Sequence, residues 1–289
     1  MSATKIEWTD YTINPIVGCS HCSPGCEHCY AERFANRLAK NPSTCARYDG
    51  IVTADGRWTG NTSKPDLTVF DRLPKSSRKV FVGSMTDIFH ENTPFNRIDD
   101  IFLKIAQFPQ HTFIFLTKRP QVMADYFPNE ECEYWLTWGM TVEDQQHLSW
   151  PQKNIWLGVT VCNQEEADVK IPVLLQIPAA KRFVSVEPML GPISMWRFFP
   201  KGSCPMPDKE KAEEMLGLKK YEENPDYQNG IGWVICGAET GPGARHMNLN
   251  WARDLRDQCK NAEVPFFFKK ASGKEKIPDD LMVRQFPEA

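Results

Sequence analysis

Four cysteines, Cys19, Cys22, Cys26 and Cys29, fall within eleven residues in the stretch Gly18-Cys-Ser-His-Cys-Ser-Pro-Gly-Cys-Glu-His-Cys-Tyr-Ala-Glu-Arg33. Metal binding is the natural chemistry of such a cluster. Two three-cysteine spacings coexist: Cys22, Cys26 and Cys29 read C-x3-C-x2-C, and Cys19, Cys26 and Cys29 read C-x6-C-x2-C. Three thiolates on one loop can hold three irons of a [4Fe–4S] cluster and leave the fourth iron to an outside ligand. The rival is a structural zinc site built from all four cysteines, or from three with His21 or His28. Only three residues separate the pair Cys19/Cys22 from the pair Cys26/Cys29, so a single zinc would need a cramped double knuckle, and the spacing favours the cluster. Thiol catalysis without metal is a third reading. Pro24 and Gly25 suit a tight loop on which thiolates converge, and Tyr30–Lys40 reads as a helix that anchors it.

The other six cysteines, Cys45, Cys132, Cys162, Cys204, Cys236 and Cys259, are scattered. The N-terminus is polar and has no apolar run of the signal-peptide kind, which points to the cytoplasm and to reduced thiols. Cys236 and Cys259 then read as small buried hydrophobes. No stretch approaches the ~20 apolar residues a membrane helix needs, so no membrane partner is expected. With 41% hydrophobic and 25% charged residues in a chain of 289, a disordered chain, a collagen-like chain and a simple coiled coil are excluded. The net charge of −3 argues against a protein that coats phosphate, while leaving room for a local basic groove.

The elements that must position these residues are legible from hydrophobic patterning. Six short apolar runs follow the cysteines: Lys79–Met85, Thr112–Thr117, Ile155–Val161, Arg182–Glu187, Gly232–Ala238 and Val264–Phe268. Most are apolar on both faces, as strands of a buried parallel sheet are. Thr12–Gly18 is a weaker first strand because of Pro15. Helical spacing lies between the runs: Ile98, Ile101, Phe102 and Ile105; Val169, Val173, Leu174 and Ile177, disturbed by Pro172; and Trp251, Leu255 and Cys259, with Asn250 as N-cap. Alternating strands and helices predict a single α/β domain, a barrel or an open sheet. Residues 41–77 and 200–230 read as loop insertions, the second with a short helical piece at Lys209–Leu216, and the polar tail 271–289 reads as mobile.

In a βα barrel the active site lies at the carboxyl ends of the strands. Here the runs end in Ser84-Met85-Thr86-Asp87, in Thr117-Lys118-Arg119, in Thr160 and Asn163, in Ser185-Val186-Glu187, in Glu239 followed by Gly241–Gly243, Arg245 and His246, and in Lys269-Lys270. Acids and bases together at six strand ends predict a pocket. Glu187 and Glu239 follow their runs directly and are placed to point into the mouth; Glu187 can alternatively pair with Lys118 or Arg119.

The C-x3-C-x2-C spacing at the start of a βα chain resembles the radical S-adenosylmethionine (SAM) superfamily. More closely, the chain resembles a phage-associated family labelled as phage gene-product thirty-seven/sixty-eight proteins, through IEWTDYTINPIVGC, SPGCEHCYAERFA, VFVGSMTDIFH, HTFIFLTKRP, NIWLGVTV, RFVSVEPMLGP, WVICGAETGPGARHM and LRDQCKNAEVPFFFK. That resemblance implies a partial (βα)6 TIM-type barrel of parallel strands, a [4Fe–4S] cluster on Cys19, Cys26 and Cys29 with Cys22 as the rival first ligand, and SAM bound at the free iron. It implies SAM-binding residues among Ser84, Met85, Asp87, Thr117 and Glu187, although Gly83-Ser84-Met85-Thr86-Asp87 departs from the superfamily's usual two glycines and a glutamate. Glu187, Glu239, Lys118 and Arg119 are the candidate catalytic residues.

The phage association further implies a modified nucleobase in DNA as substrate, with isomerisation of an amino-acid-decorated thymine as the specific candidate, and an electron donor such as flavodoxin or ferredoxin. Lys118, Arg119, Arg245, Lys269 and Lys270 are placed to meet phosphate, and Arg57, Trp58, Lys64 and Arg72 mix charge with an aromatic surface for a base. The alternatives are radical SAM chemistry on a peptide or small molecule, and a zinc-stabilised nucleic-acid or protein binding module without catalysis.

Overall fold

A computed structural model describes residues 4, 6–127, 150–200 and 230–288. Seven parallel strands form one sheet in strictly sequential order, β1 to β7: β1 Tyr11–Ile13, β2 Lys79–Val82, β3 Thr112–Thr117, β4 Ile155–Thr160, β5 Lys181–Val186, β6 Val234–Gly237 and β7 Phe266–Lys270. The sheet curls into a half-barrel, a partial TIM-type barrel with one strand more than six. The weak first run is a real strand, cut short at Ile13 because Pro15 has no N–H for a ladder.

Helices α1 Tyr30–Ala39, α2 Phe95–Ala106, α3 Pro120–Tyr126, α4 Gln164–Gln176 and α5 Leu249–Asn261 cover the outer face. Strands are apolar on both sides because both sides are covered. Phe113, Phe115, Leu157, Val159, Val184, Val186, Phe266 and Phe268 face the helices and join Ile98, Ile101, Phe102 and Ile105 of α2 in the main core. Phe81, Ile114, Trp156, Phe183, Ile235 and Phe267 face inward and close around Trp8 and Trp233. Trp8 packs 4.8 Å from Phe81 and 6.2 Å from Trp233 between ring centroids, so the N-terminal segment plugs the floor of the half-barrel.

Four expectations change. In α4, Val169 is 67% exposed; the buried face is Ala167, Lys170, Ile171, Leu174 and Leu175, and Lys170 lies there because its amine reaches Glu166 Oε1 at 2.7 Å and the Thr160 carbonyl at 3.3 Å. Asn248, not Asn250, caps α5, accepting from the Asn250 N–H at 3.0 Å. Residues 41–77 are packed: Tyr48, Ile51 and Trp58 join Ala31 and Ala35 of α1, and Val69 and Phe70 enter the main core. The tail to residue 288 is also docked, with Leu281 buried, Trp233 Nε1 donating to the Gln285 carbonyl at 3.0 Å and Phe286 5.3 Å from Phe267. Cys132, Cys204 and Lys209–Leu216 lie outside the described residues.

Candidate functional site

Side chains alternate along a strand, so each inward step of two residues climbs from floor to mouth. On β3 the climb is Ile114, Leu116 and Lys118; on β4, Trp156, Gly158 and Thr160; on β5, Phe183, Ser185 and Glu187. The lower members make the apolar floor. Gly158 has no side chain because the Phe183 ring occupies its place, 2.4 Å from where a Cβ would stand. The upper members line a cavity of about 630 Å³ at the carboxyl ends of the strands.

The cysteine loop lies over this cavity. Cys19, Cys26 and Cys29 line it; Cys22 is exposed and does not. Ser23 caps a single helical turn at Pro24–Cys26 by accepting the Gly25 N–H at 3.2 Å. Gly25 passes so close to β4's end that a Cβ there would lie 2.5 Å from Cys162 Sγ. Two arginines pin the loop. Arg119 donates to the Ser20 carbonyl at 3.0 Å, to Ser20 Oγ at 2.9 Å, to Glu91 at 2.7 Å and to Asp87 at 3.2 Å, and its Nη1 lies 3.8 Å from Cys19 Sγ. Arg245 donates to the Pro24 carbonyl at 2.8 Å, to Glu27 at 2.9 Å and through Nε to Glu239 at 2.9 Å. His90 Nδ1 accepts from the Asn92 N–H at 3.0 Å, so Nε2 holds the proton and donates it to Ser20 Oγ at 2.8 Å.

The thiols are not electrostatically alike. A hydrogen bond from the Cys22 thiol brings Cys26 down to about 5, against the opposing effect of burial and with help from the Lys118 ammonium. Burial pushes Cys19 up to about 11, with Asp87 adding and Arg119 opposing. Burial disfavours the charged Lys118, but Cys26, Cys162, Cys29 and Asp87 outweigh it and hold the amine protonated. Among the described residues no three His, Cys, Asp or Glu side chains stand close enough to share a single metal ion. A [4Fe–4S] cluster distributes its thiolates over separate irons and needs no such single focus. Three cysteines around the edge of one cavity, with Arg119 and Lys118 beside them to offset thiolate charge, fit that group.

The cavity gathers Ser84, Asp87, Thr117, Lys118, Arg119, Glu187 and Glu239. Met85 is not brought to it: its side chain is buried against Val17, Ala31 and Trp58. Asp87 is committed to the protein, accepting from Thr117 Oγ1 at 2.7 Å and from the Lys118 N–H at 2.9 Å besides Arg119. Glu187 pairs with Lys269 at 2.9 Å, not with Lys118 or Arg119. Glu239 is buried and held by Arg245; burial would raise its pKa, but the guanidinium hydrogen bonds take it below the usual carboxylate range.

The Gly241–Gly243 turn meets the protein itself. A Cβ at Gly241 (φ +103°) would fall 2.0 Å from Arg33 Nη2. Arg57 pairs with Glu32, and Trp58, only 8% exposed, nonetheless lines the cavity, so of the four insertion residues Trp58 reaches the site. Lys64 and Arg72 do not line the cavity, and His246 pairs with Glu275 outside it. Three contributors were missed from the sequence. Asn14 Oδ1 accepts from Ser84 Oγ at 3.1 Å and from the Met85 N–H at 2.9 Å; Tyr30 donates to the Ser84 carbonyl at 2.8 Å; Trp8 forms the floor. Asn14 beside Pro15 and a tryptophan in a polar N-terminus were the available hints.

The chain belongs to the family described as protein of unknown function DUF5131, which matches residues 3–283. No curated protein matches it significantly. Among solved structures, a cysteine-to-serine mutant of spore photoproduct lyase is similar over 93% of this chain and 79% of its own, at 10% identity and a TM-score of 0.42, a level from which nothing about function follows. No described helix is long and apolar enough to cross a membrane.

Proposed function

We propose that this protein is a radical SAM enzyme whose [4Fe–4S] cluster is held by Cys19, Cys26 and Cys29. The observation that carries the reading is the placing of these three cysteines, and not Cys22, on one cavity at the carboxyl ends of a parallel half-barrel. The cluster and SAM supply one-electron chemistry that removes a hydrogen atom from the substrate; such chemistry belongs to the cofactors. The chain binds, orients and excludes water. Arg119 holds the loop at Ser20 and sets a positive charge beside Cys19. Lys118 sets a second among Cys26 and Cys29. Ser84, fixed by Asn14, presents a polar group to SAM; Thr117, whose hydroxyl donates to Asp87 and accepts from the Arg119 N–H, supports the site only by holding Asp87, while the Glu187–Lys269 pair faces the substrate.

The finer reading is a rearrangement of a modified nucleobase in phage DNA, with an amino-acid-modified thymine as candidate and flavodoxin or ferredoxin as electron donor. A target base in a duplex has to be flipped into a pocket of this depth. Metal analysis after anaerobic purification tests the cluster. The reading expects a brown protein with about four irons per chain. A colourless protein with one zinc contradicts it.

A further inference from the structure

Strand alternation would send only one of the two lysines ending β7 into the half-barrel. The register shows otherwise. Cys236 on β6 pairs with Phe268 and Gly237 pairs with Lys270, so Lys269 is an extra residue, a bulge in the ladder. A bulge re-aims the side chains around it. Cys236 and Phe268 face the outer core, so Gly237 and Lys270 take the inner side, and both Lys269 and Lys270 line the cavity. Gly237 gives the space: a Cβ there would lie 2.8 Å from Glu187 Oε1.

The charges of this wall are unequally spent. Lys269 is neutralised by Glu187, Arg119 by Asp87 and Glu91, and Arg245 by Glu239 and Glu27. Lys118 stands among the thiols. Lys270 is the remaining lysine on the cavity, and its ammonium has no hydrogen-bond or ion-pair partner among the described residues. On β5, two strands from β7 and one inward step below Glu187, Ser185 is 1% exposed and its Oγ is unpartnered; Trp8 Nε1 on the floor is buried and unpartnered too. Buried polar groups left unpaired are costly unless a ligand or water satisfies them. Beside them Trp8, Phe81 and Leu116 offer an apolar surface that suits a flat ring.

We propose that the β7 bulge builds an oxyanion subsite anchored by Lys270, for a ligand that carries a phosphate ester on a flat ring, with Ser185 and Trp8 as hydrogen-bonding partners of the ring. The phosphate is that of a free nucleotide or of a nucleic-acid strand. This names the substrate class of the radical SAM site and rests on that reading only in calling the ligand a substrate.

Calorimetric titration of the full-length protein with thymidine, thymidine 5′-monophosphate and single-stranded oligothymidylate tests it without reductant or turnover. A failure of the radical chemistry therefore leaves this result untouched, and the reverse holds. At least one phosphate ligand should bind roughly tenfold or more tightly than thymidine, as a charge-assisted contact implies. Tighter monophosphate assigns a free nucleotide; tighter oligomer assigns a strand. Lys270→Gln should abolish that preference and leave thymidine binding unchanged, Lys270→Arg should retain it, and Lys274→Gln, an exposed lysine outside the cavity, should behave as the parent. Equal affinities for thymidine and both phosphate ligands, an unaffected Lys270→Gln variant, or no binding of any of the three would overturn the proposal.

Discussion

Cys22 shares a loop with Cys19, Cys26 and Cys29 but is exposed, and its thiol hydrogen-bonds to Cys26 instead of lining the cavity. Spacing alone left the first cluster ligand open between Cys19 and Cys22, because both patterns satisfy the same count. The proposed reading takes Cys19, because it is half-buried on the cavity while Cys22 is exposed. Cys22→Ala should therefore keep the iron of the anaerobically purified protein, whereas Cys26→Ala should lose it; iron loss in the Cys22 variant would reassign the ligand. Arg245 shows what sequence could not reveal. Glu239 was legible as a strand-end acid, but its partner comes from beyond a glycine turn and also holds the cysteine loop. Arg245→Ala leaves a buried carboxylate unpaired and should cost about 1–3 kcal/mol in urea unfolding. The Glu239 carboxyl lies below its usual range in the folded protein. Its contribution is thus present above the ordinary carboxylate pKa and lost as pH falls through the lowered folded value. The gap between parent and variant should narrow in acid.

The elements were legible where burial makes a pattern. Strands β2 to β7 appeared as apolar runs because helices cover one face and Trp8 and its neighbours the other. Residues 41–77 did not, because Tyr48, Ile51, Trp58, Val69 and Phe70 follow neither period and sit among glycines and polar turns. In α4 the buried face runs through Lys170, which helical spacing places there but whose charge would assign it to solvent. Alternation carries Glu187 and Lys269 inward on their own strands but does not say that the two meet, and Lys270 comes inward only through the bulge, which no alternation rule anticipates. The cysteine loop is positioned by contact as well as by hydrogen bonds. Gly25→Ala would drive a methyl into Cys162 Sγ and Pro188 Cδ, at 2.5 and 3.0 Å. The loop must lift, so iron content should fall well below the parent's while the far-ultraviolet circular dichroism spectrum stays unchanged.

At the scale of the molecule, an open half-barrel needs its floor and flank closed by chain ends. Trp8 fills the floor, Glu7 pairs with Arg284, and Phe286 stacks near Trp233 and Phe267. The termini are thus part of the cavity's support. Trp8→Ala should destabilise the protein by about 3–5 kcal/mol, read as a lower urea midpoint at unchanged slope. The central claim is that this half-barrel cleaves SAM by one-electron chemistry at the three-cysteine loop. The most direct measurement is the yield of 5′-deoxyadenosine when the anaerobically reconstituted protein is given dithionite and SAM. The account predicts 5′-deoxyadenosine from the parent and none from Cys29→Ala. A fully iron-loaded parent that leaves SAM intact, or a parent that takes up zinc and stays colourless, would contradict it.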